Sequence, residues 1–151
     1  MKDQSFGIVP VRRDANEYQF LLVQHHAGHW ALPKGHAENN ETDIEAARRE
    51  LHEETGVANA TLVPGVVLSE TYYFKRNQQT ITKSVRYFIG LVKDTAVHIQ
   101  AAEIEAYTWA NFDQAVGMIT FSESRRILTE AHQYIESHAQ QIGGLFAESG
   151  T

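Results

Sequence analysis

Residues 35–57, GHAENNETDIEAARRELHEETGV from Gly35 to Val57, decide how the rest of the chain is read. Thr42 and Glu45 stand at the S/T-x-x-E spacing of a capping box, and Gly56 supplies a stop, so a helix runs between them. Ile44, Ala47 and Leu51 recur at helical spacing and give this helix one apolar face. Ahead of it, Gly35 to Glu41 is polar and rich in Asn and Glu, which predicts a loop.

The carboxylates of that helix set it apart. Glu50, Glu53 and Glu54 fall within about 100° of arc and share one face. Like charges at this spacing destabilise a helix by about a few tenths of a kcal/mol and raise one another's pKa. A helix serving only as scaffold gains nothing from this. A bound Mg²⁺ or Mn²⁺, which prefers hard oxygen ligands, would offset the repulsion. Arg49 precedes Glu53 by one turn and can hold its carboxylate in place. Gly35 allows a close backbone approach and could add its carbonyl oxygen as a ligand. Taken alone, the three glutamates could be a solvated acidic face; Gly35, Glu41, Arg49 and Gly56 in register with them argue otherwise.

Working outward, Phe6–Val11 and Tyr18–Gln24 predict a strand hairpin around the turn Asp14-Ala15-Asn16-Glu17. Trp30-Ala31-Leu32 is a short extended piece ended by Pro33. Val57–Phe74 predicts two strands around Pro64-Gly65, Lys75–Gln79 a polar turn, and Ile81–Val92 and Tyr107–Trp109 two more strands. Asn111 caps a brief helix over Phe112–Met118. A longer helix starts at Ser122 and ends near His138, with Ile127, Leu128, Ala131, Tyr134 and Ile135 on one face. The expected fold is α+β, a mixed sheet between helices in three α/β/α layers, as one domain over residues 1–151 with a flexible tail at 143–151.

Bulk properties narrow the function. The chain has 151 residues, 42% hydrophobic and 21% charged, the balance of an ordinary globular domain. It has no cysteine, which excludes disulfides, thiolate catalysis and Cys-ligated zinc. No apolar run approaches about 18 residues and the N-terminus lacks a signal-peptide pattern, so no membrane association and a cytoplasmic location are expected. A net charge of −6 argues against a non-specific nucleic-acid binder. No obligate protein partner is evident. His25, His26 and His29 invite a zinc reading, but no Cys, Glu or further His stands at zinc-site spacing nearby.

The pattern G-x₅-E-x₇-R-E-apolar-x-E-E-x-G-apolar, met at every defined position from Gly35 to Val57, resembles the Nudix box. A chance match in a chain of this length is on the order of one in a hundred million. The likeness runs over residues 6–136. His29-Trp30-Ala31-Leu32-Pro33-Lys34-Gly35-His36, Arg76-Asn77, Lys83–Tyr87 and Glu103–Trp109 are similar to segments of the asymmetrical diadenosine tetraphosphate hydrolases. The Pro-Lys-Gly-His piece also occurs in relatives acting on diphosphoinositol polyphosphates, and other relatives attack 5′-triphosphorylated RNA.

The resemblance implies a Nudix fold and hydrolysis of a nucleoside polyphosphate with Mg²⁺ or Mn²⁺, diadenosine tetraphosphate being split into ATP and AMP. It implies metal binding by Glu50, Glu53, Glu54 and the Gly35 carbonyl, with Arg49 orienting them and Glu54 favoured as general base. Glu103 would bind metal or activate water from the opposite side, or be a surface carboxylate. Lys34 and Lys83 would face the polyphosphate, and His36 would lie near it. Tyr87 would be a phosphate-side tyrosine or a core residue. Tyr73 or Tyr107 would stack on adenine or belong to the core. Nucleic acid becomes a partner only if the enzyme is an RNA 5′-pyrophosphohydrolase, for which Arg12, Arg13, Lys75, Arg76, Lys83 and Arg86 could form a basic path. A nucleotide-sensing domain without catalysis would be expected to have lost box residues, and none is missing.

Overall fold

The computed structural model describes residues 2–94 and 96–148. Eight strands and four helices follow in order: β1 (Lys2–Asp14), β2 (Glu17–His25), β3 (Trp30–Ala31), β4 (Lys34–His36), α1 (Asp43–Thr55), β5 (Thr61–Leu62), β6 (Leu68–Arg76), β7 (Gln79–Leu91), β8 (Ile104–Ala110), α2 (Phe112–Met118), α3 (Ser122–Ser137) and α4 (Ala139–Glu148). All the strands join one mixed sheet built around β1. β1 runs parallel to β7 from Lys2↔Thr82 to Val11↔Leu91. Its other edge is divided, with Val11–Asp14 pairing β2 and Ser5–Gly7 pairing β4.

Alternation along the central strands sorts side chains into two cores. Phe6, Ile8, Leu21 and Phe88 pack with Ala46, Ala47 and Leu51 of α1. Val9, Val11, Phe20, Leu22, Ile89 and Leu91 face the opposite way, onto Ile127, Leu128, Ala131 and Ile135 of α3. The sheet is covered on both faces, and the expected three α/β/α layers are present. Burying each Val, Leu, Ile or Phe side chain among these contributes about 1.5–3 kcal/mol.

Several boundaries differ from expectation for physical reasons. Gly35 and His36 lie in a strand and not in a loop, because β2 leaves the edge of Ser5–Gly7 open and β4 satisfies those backbone groups. Ile44 is 43% exposed, and Ala46 takes the place expected for it against the sheet. The hairpin between β6 and β7 is tighter than expected: Asn77 and Gln78 have φ of 52° and 67°, the two left-handed residues of a type I′ turn. The tail is also not loose from Gly143. α4 carries it to Glu148, with Ile142 and Phe146 buried in the α3-side core; residues 149–151 lie outside the described residues. No helix among the described residues is long and apolar enough to cross a membrane.

Candidate active site

α1 begins and ends as the residues dictate. Thr42 accepts from the Glu45 N–H while the Glu45 side chain returns to the Thr42 N–H, and Gly56 closes the helix at φ 78°. This leaves Arg49, Glu50, Glu53 and Glu54 on its second half.

Arg49 is the hub of the loop and helix. Its Nε donates to Glu41 Oε2 at 2.7 Å and its Nη2 to Glu41 Oε1 at 3.1 Å, a bidentate pair. Nη2 also reaches the His36 carbonyl at 2.8 Å, and Nη1 reaches Glu50 and Glu53 at 3.1 Å each. Sequence reasoning connected Arg49 with Glu53 and gave Glu41 no task. The only signal for it was its fixed place in the motif, because a contact eight residues apart across a loop has no local periodicity.

Glu54 is 2% exposed, and its Oε1 is buried without a hydrogen-bond partner. Burial first, then the charges of Glu50 and Glu103, push its carboxyl up to about 8. The Lys34 backbone N–H partly counters this by donating to it. Burial also raises the Glu50 carboxyl. Gly35 packs against Glu50 so closely that a Cβ there would stand 2.2 Å from its carboxyl carbon.

These groups wall a cavity of about 390 Å³ together with Ser5, His25, Lys34, Lys83 and Glu103. Glu103 enters from the turn before β8, so the sheet brings together carboxylates 49 positions apart in sequence (Glu54 and Glu103). Glu53 is not among the lining residues; it is held at the rim by Arg49. The donors facing the cavity are hard oxygens suited to Mg²⁺ or Mn²⁺. Among the described residues no three His, Asp or Glu side chains converge on one point. Glu50 and Glu53 are both paired with the Arg49 guanidinium.

Lys34 also lines a second cavity, of about 290 Å³, with Tyr72, Val85, Tyr87, Phe121 and Ser124. Burial, then the neighbouring Lys83, lowers the affinity of Lys34 for its proton. Lys83 is paired to Asp3 at 3.5 Å, and His36 Nε2 donates to the same Asp3 at 2.6 Å. Tyr87 is buried in the α3-side core, presents part of its ring to this cavity and is hydrogen-bonded with Ser124. Of the two alternatives for Tyr87, its burial matches the core residue.

Tyr73 is 69% exposed on the other side of β6 and lines neither cavity; Tyr72, its neighbour, does. Tyr107, on β8 opposite Val23, lines neither. Phe121, at the N-cap of α3, forms a further wall of the second cavity.

A family model described as the NUDIX domain matches residues 1–131. The chain is 37% identical over 139 residues to the asymmetrical bis(5′-nucleosyl)-tetraphosphatase of Rattus norvegicus, covering 85% of this chain and 92% of that protein. It is 31% identical over 160 residues to an RNA pyrophosphohydrolase of Xylella fastidiosa, covering 96% of this chain and 81% of that protein. A solved structure of the C. elegans Ap4A hydrolase in a binary complex superposes with a TM-score of 0.77 at 24% identity, covering 89% of this chain and 98% of that one.

Proposed function

The chain belongs to the NUDIX hydrolase family, and from that premise we propose that it hydrolyses a phosphoanhydride of a nucleoside polyphosphate, above all diadenosine tetraphosphate to ATP and AMP. The observation that carries this reading is the position of Lys34. It lines both the carboxylate cavity and the aromatic one, so one bound molecule can place its phosphates beside the glutamates and a base among Tyr72, Tyr87 and Phe121. The likeness to the rat tetraphosphatase over most of both chains supports the same substrate.

NUDIX hydrolases generally use divalent metal ions, and this donor set fits one. Glu54 Oε1 is buried with nothing bonded to it, and Glu50 sits against a backbone where only glycine fits. We assign metal binding to Glu50, Glu53, Glu54, Glu103 and the Gly35 carbonyl, with Mg²⁺ the preferred ion and Mn²⁺ a substitute. A bound cation would neutralise phosphate oxygens and lower the pKa of water.

The chain's own residues do the rest. Glu54, buried at the cavity that Glu50 and Glu103 also line, takes the proton of the attacking water. Water adds to one phosphorus as the bond to the leaving nucleotide oxygen breaks, with no covalent enzyme intermediate. Lys34 and Lys83 stabilise charge on the phosphates. Arg49 keeps Glu50 and Glu53 in place while Glu41 fixes Arg49. A cytoplasmic setting belongs to this reading.

Hydrolysis of RNA 5′ ends is the second reading, favoured by the likeness to the Xylella enzyme. The dispersal of the basic residues weighs against it. Arg12 stacks on Trp109 and Arg13 on Phe146 near one end of β1, while Lys83 pairs with Asp3 near the other. At about 3.3 Å per residue these ends lie roughly 30 Å apart. Arg86 is already bound to Asp43.

The test is product analysis with Mg²⁺, offering diadenosine tetraphosphate, 5′-triphosphorylated RNA and a diphosphoinositol polyphosphate in parallel. Preferred cleavage of the dinucleotide to ATP plus AMP is expected. Preference for either other substrate would overturn the assignment.

A further inference from the structure

Glu103 faces the cavity opposite Glu54, yet its carboxylate makes no hydrogen bond or ion pair among the described residues. Its position therefore depends on the backbone of the turn that presents it. That turn is weakly founded. The β2–β8 ladder shifts register between Gln24 and His25, so that Gln24 pairs Ala106 while His25 pairs Ile104, and Glu105 is the extra residue of a bulge. Regular strand pairing thus breaks off immediately beyond Glu103.

His26 spans the break. One ring nitrogen, Nδ1, donates to Glu105 Oε2 at 2.6 Å, and the other, Nε2, donates to the Ala101 carbonyl at 2.6 Å. Both partners only accept, so both ring nitrogens carry a proton in this arrangement. The His26 backbone N–H reaches the Glu103 carbonyl at 3.3 Å. One residue thereby grips the turn at its start, at Glu103 itself and at the bulge. The remaining ties are the Glu103 and Ile104 N–H groups on the Gln100 carbonyl, and the Gln100 N–H on the Glu54 carbonyl. The last of these joins the turn to the end of α1. Strand alternation sends the neighbouring His25 into the cavity and His26 to the outside of the turn.

We propose that His26 is a positioning residue that fixes Glu103 across the cavity from Glu54. The proposal rests on the function assigned to Glu103 above, and its tests separate the two. A surface His–Glu pair with no such duty would contribute little anywhere.

The first test is amide hydrogen exchange on the metal-free protein, which needs no activity. His26→Ala should speed exchange at Glu103 and Ile104 by about tenfold or more while leaving the α1 amides unchanged. Unchanged exchange at both positions overturns the proposal. The second is a kinetic cycle with Mg²⁺ and diadenosine tetraphosphate. His26→Ala should lower kcat by about tenfold with KM within about twofold, since small displacements of a reacting group are costly. In the Glu103→Gln background the same change should have no further effect. Equal losses in both backgrounds, or a loss confined to KM, overturn the proposal. If exchange responds as expected but the wild-type protein cleaves none of the substrates, the clamp stands and the functional assignment falls.

Discussion

The Gly35 backbone lies directly against the Glu50 carboxylate, with room for no Cβ: one built at residue 35 would stand 2.2 Å from the carboxyl carbon and 2.3 and 2.4 Å from its oxygens. The obstructing atoms are the far end of a flexible side chain, so Gly35→Ala should fold and displace Glu50. We expect a stability loss under about 1.5 kcal/mol together with a fall in kcat of roughly a hundredfold. Thermal melts beside steady-state kinetics check this, and a variant with full activity would remove Glu50 from the machinery.

Glu41 and Arg49 form the bidentate pair that keeps the guanidinium from settling wholly on Glu50 and Glu53. Glu41→Gln weakens that hold, so Arg49 should compete more strongly for the two carboxylates. The Mg²⁺ concentration for half-maximal rate should rise by about threefold to tenfold. Magnesium titration of the initial rate provides the measurement, and an unchanged midpoint would make Glu41 a mere brace of the loop.

Glu54 makes stability depend on pH with a defined sign. Its carboxyl is raised to about 8 in the folded protein from an ordinary value of 4.5. The folded state therefore binds more protons between those values, and the contribution to stability, complete below about pH 4.5, is lost as pH rises through about 8. The metal-free protein should lose on the order of a few kcal/mol over this window from this group. Glu54→Gln should flatten the slope, as should added Mg²⁺, while lowering turnover by about a thousandfold. Melting temperatures from pH 5 to 9 with and without Mg²⁺ would show it; the same slope in Glu54→Gln would assign the effect to other groups.

Tyr72 and Tyr73 are adjacent in sequence and opposite in position. Tyr72→Ala should raise KM for the dinucleotide by about tenfold through loss of a stacking surface. Tyr73→Ala should leave kcat and KM within about twofold. Reversed effects would relocate the base to the other side of β6. Phe121→Ala is expected to behave as Tyr72→Ala does, because it lines the same cavity.

What could be read from the residues alone was what local chemistry specifies. The cap Thr42–Glu45, the stop at Gly56 and the shared face of Glu50 and Glu54 all depend on neighbours within a few positions, where helix geometry makes spacing equivalent to proximity. The alternating pattern likewise announced the sheet, and the motif from Gly35 to Val57 announced the family. Tertiary structure decided whatever spans large separations. It set Glu103 against Glu54, paired β4 with the open edge of β1, and buried Ile142 and Phe146 so that α4 could form. It also decided between Tyr72 and Tyr73, since a strand has a period of two and a single step in register exchanges its faces. Pairing with Lys83 and Thr82 of β7 settled that register, and no pattern within β6 could have done so.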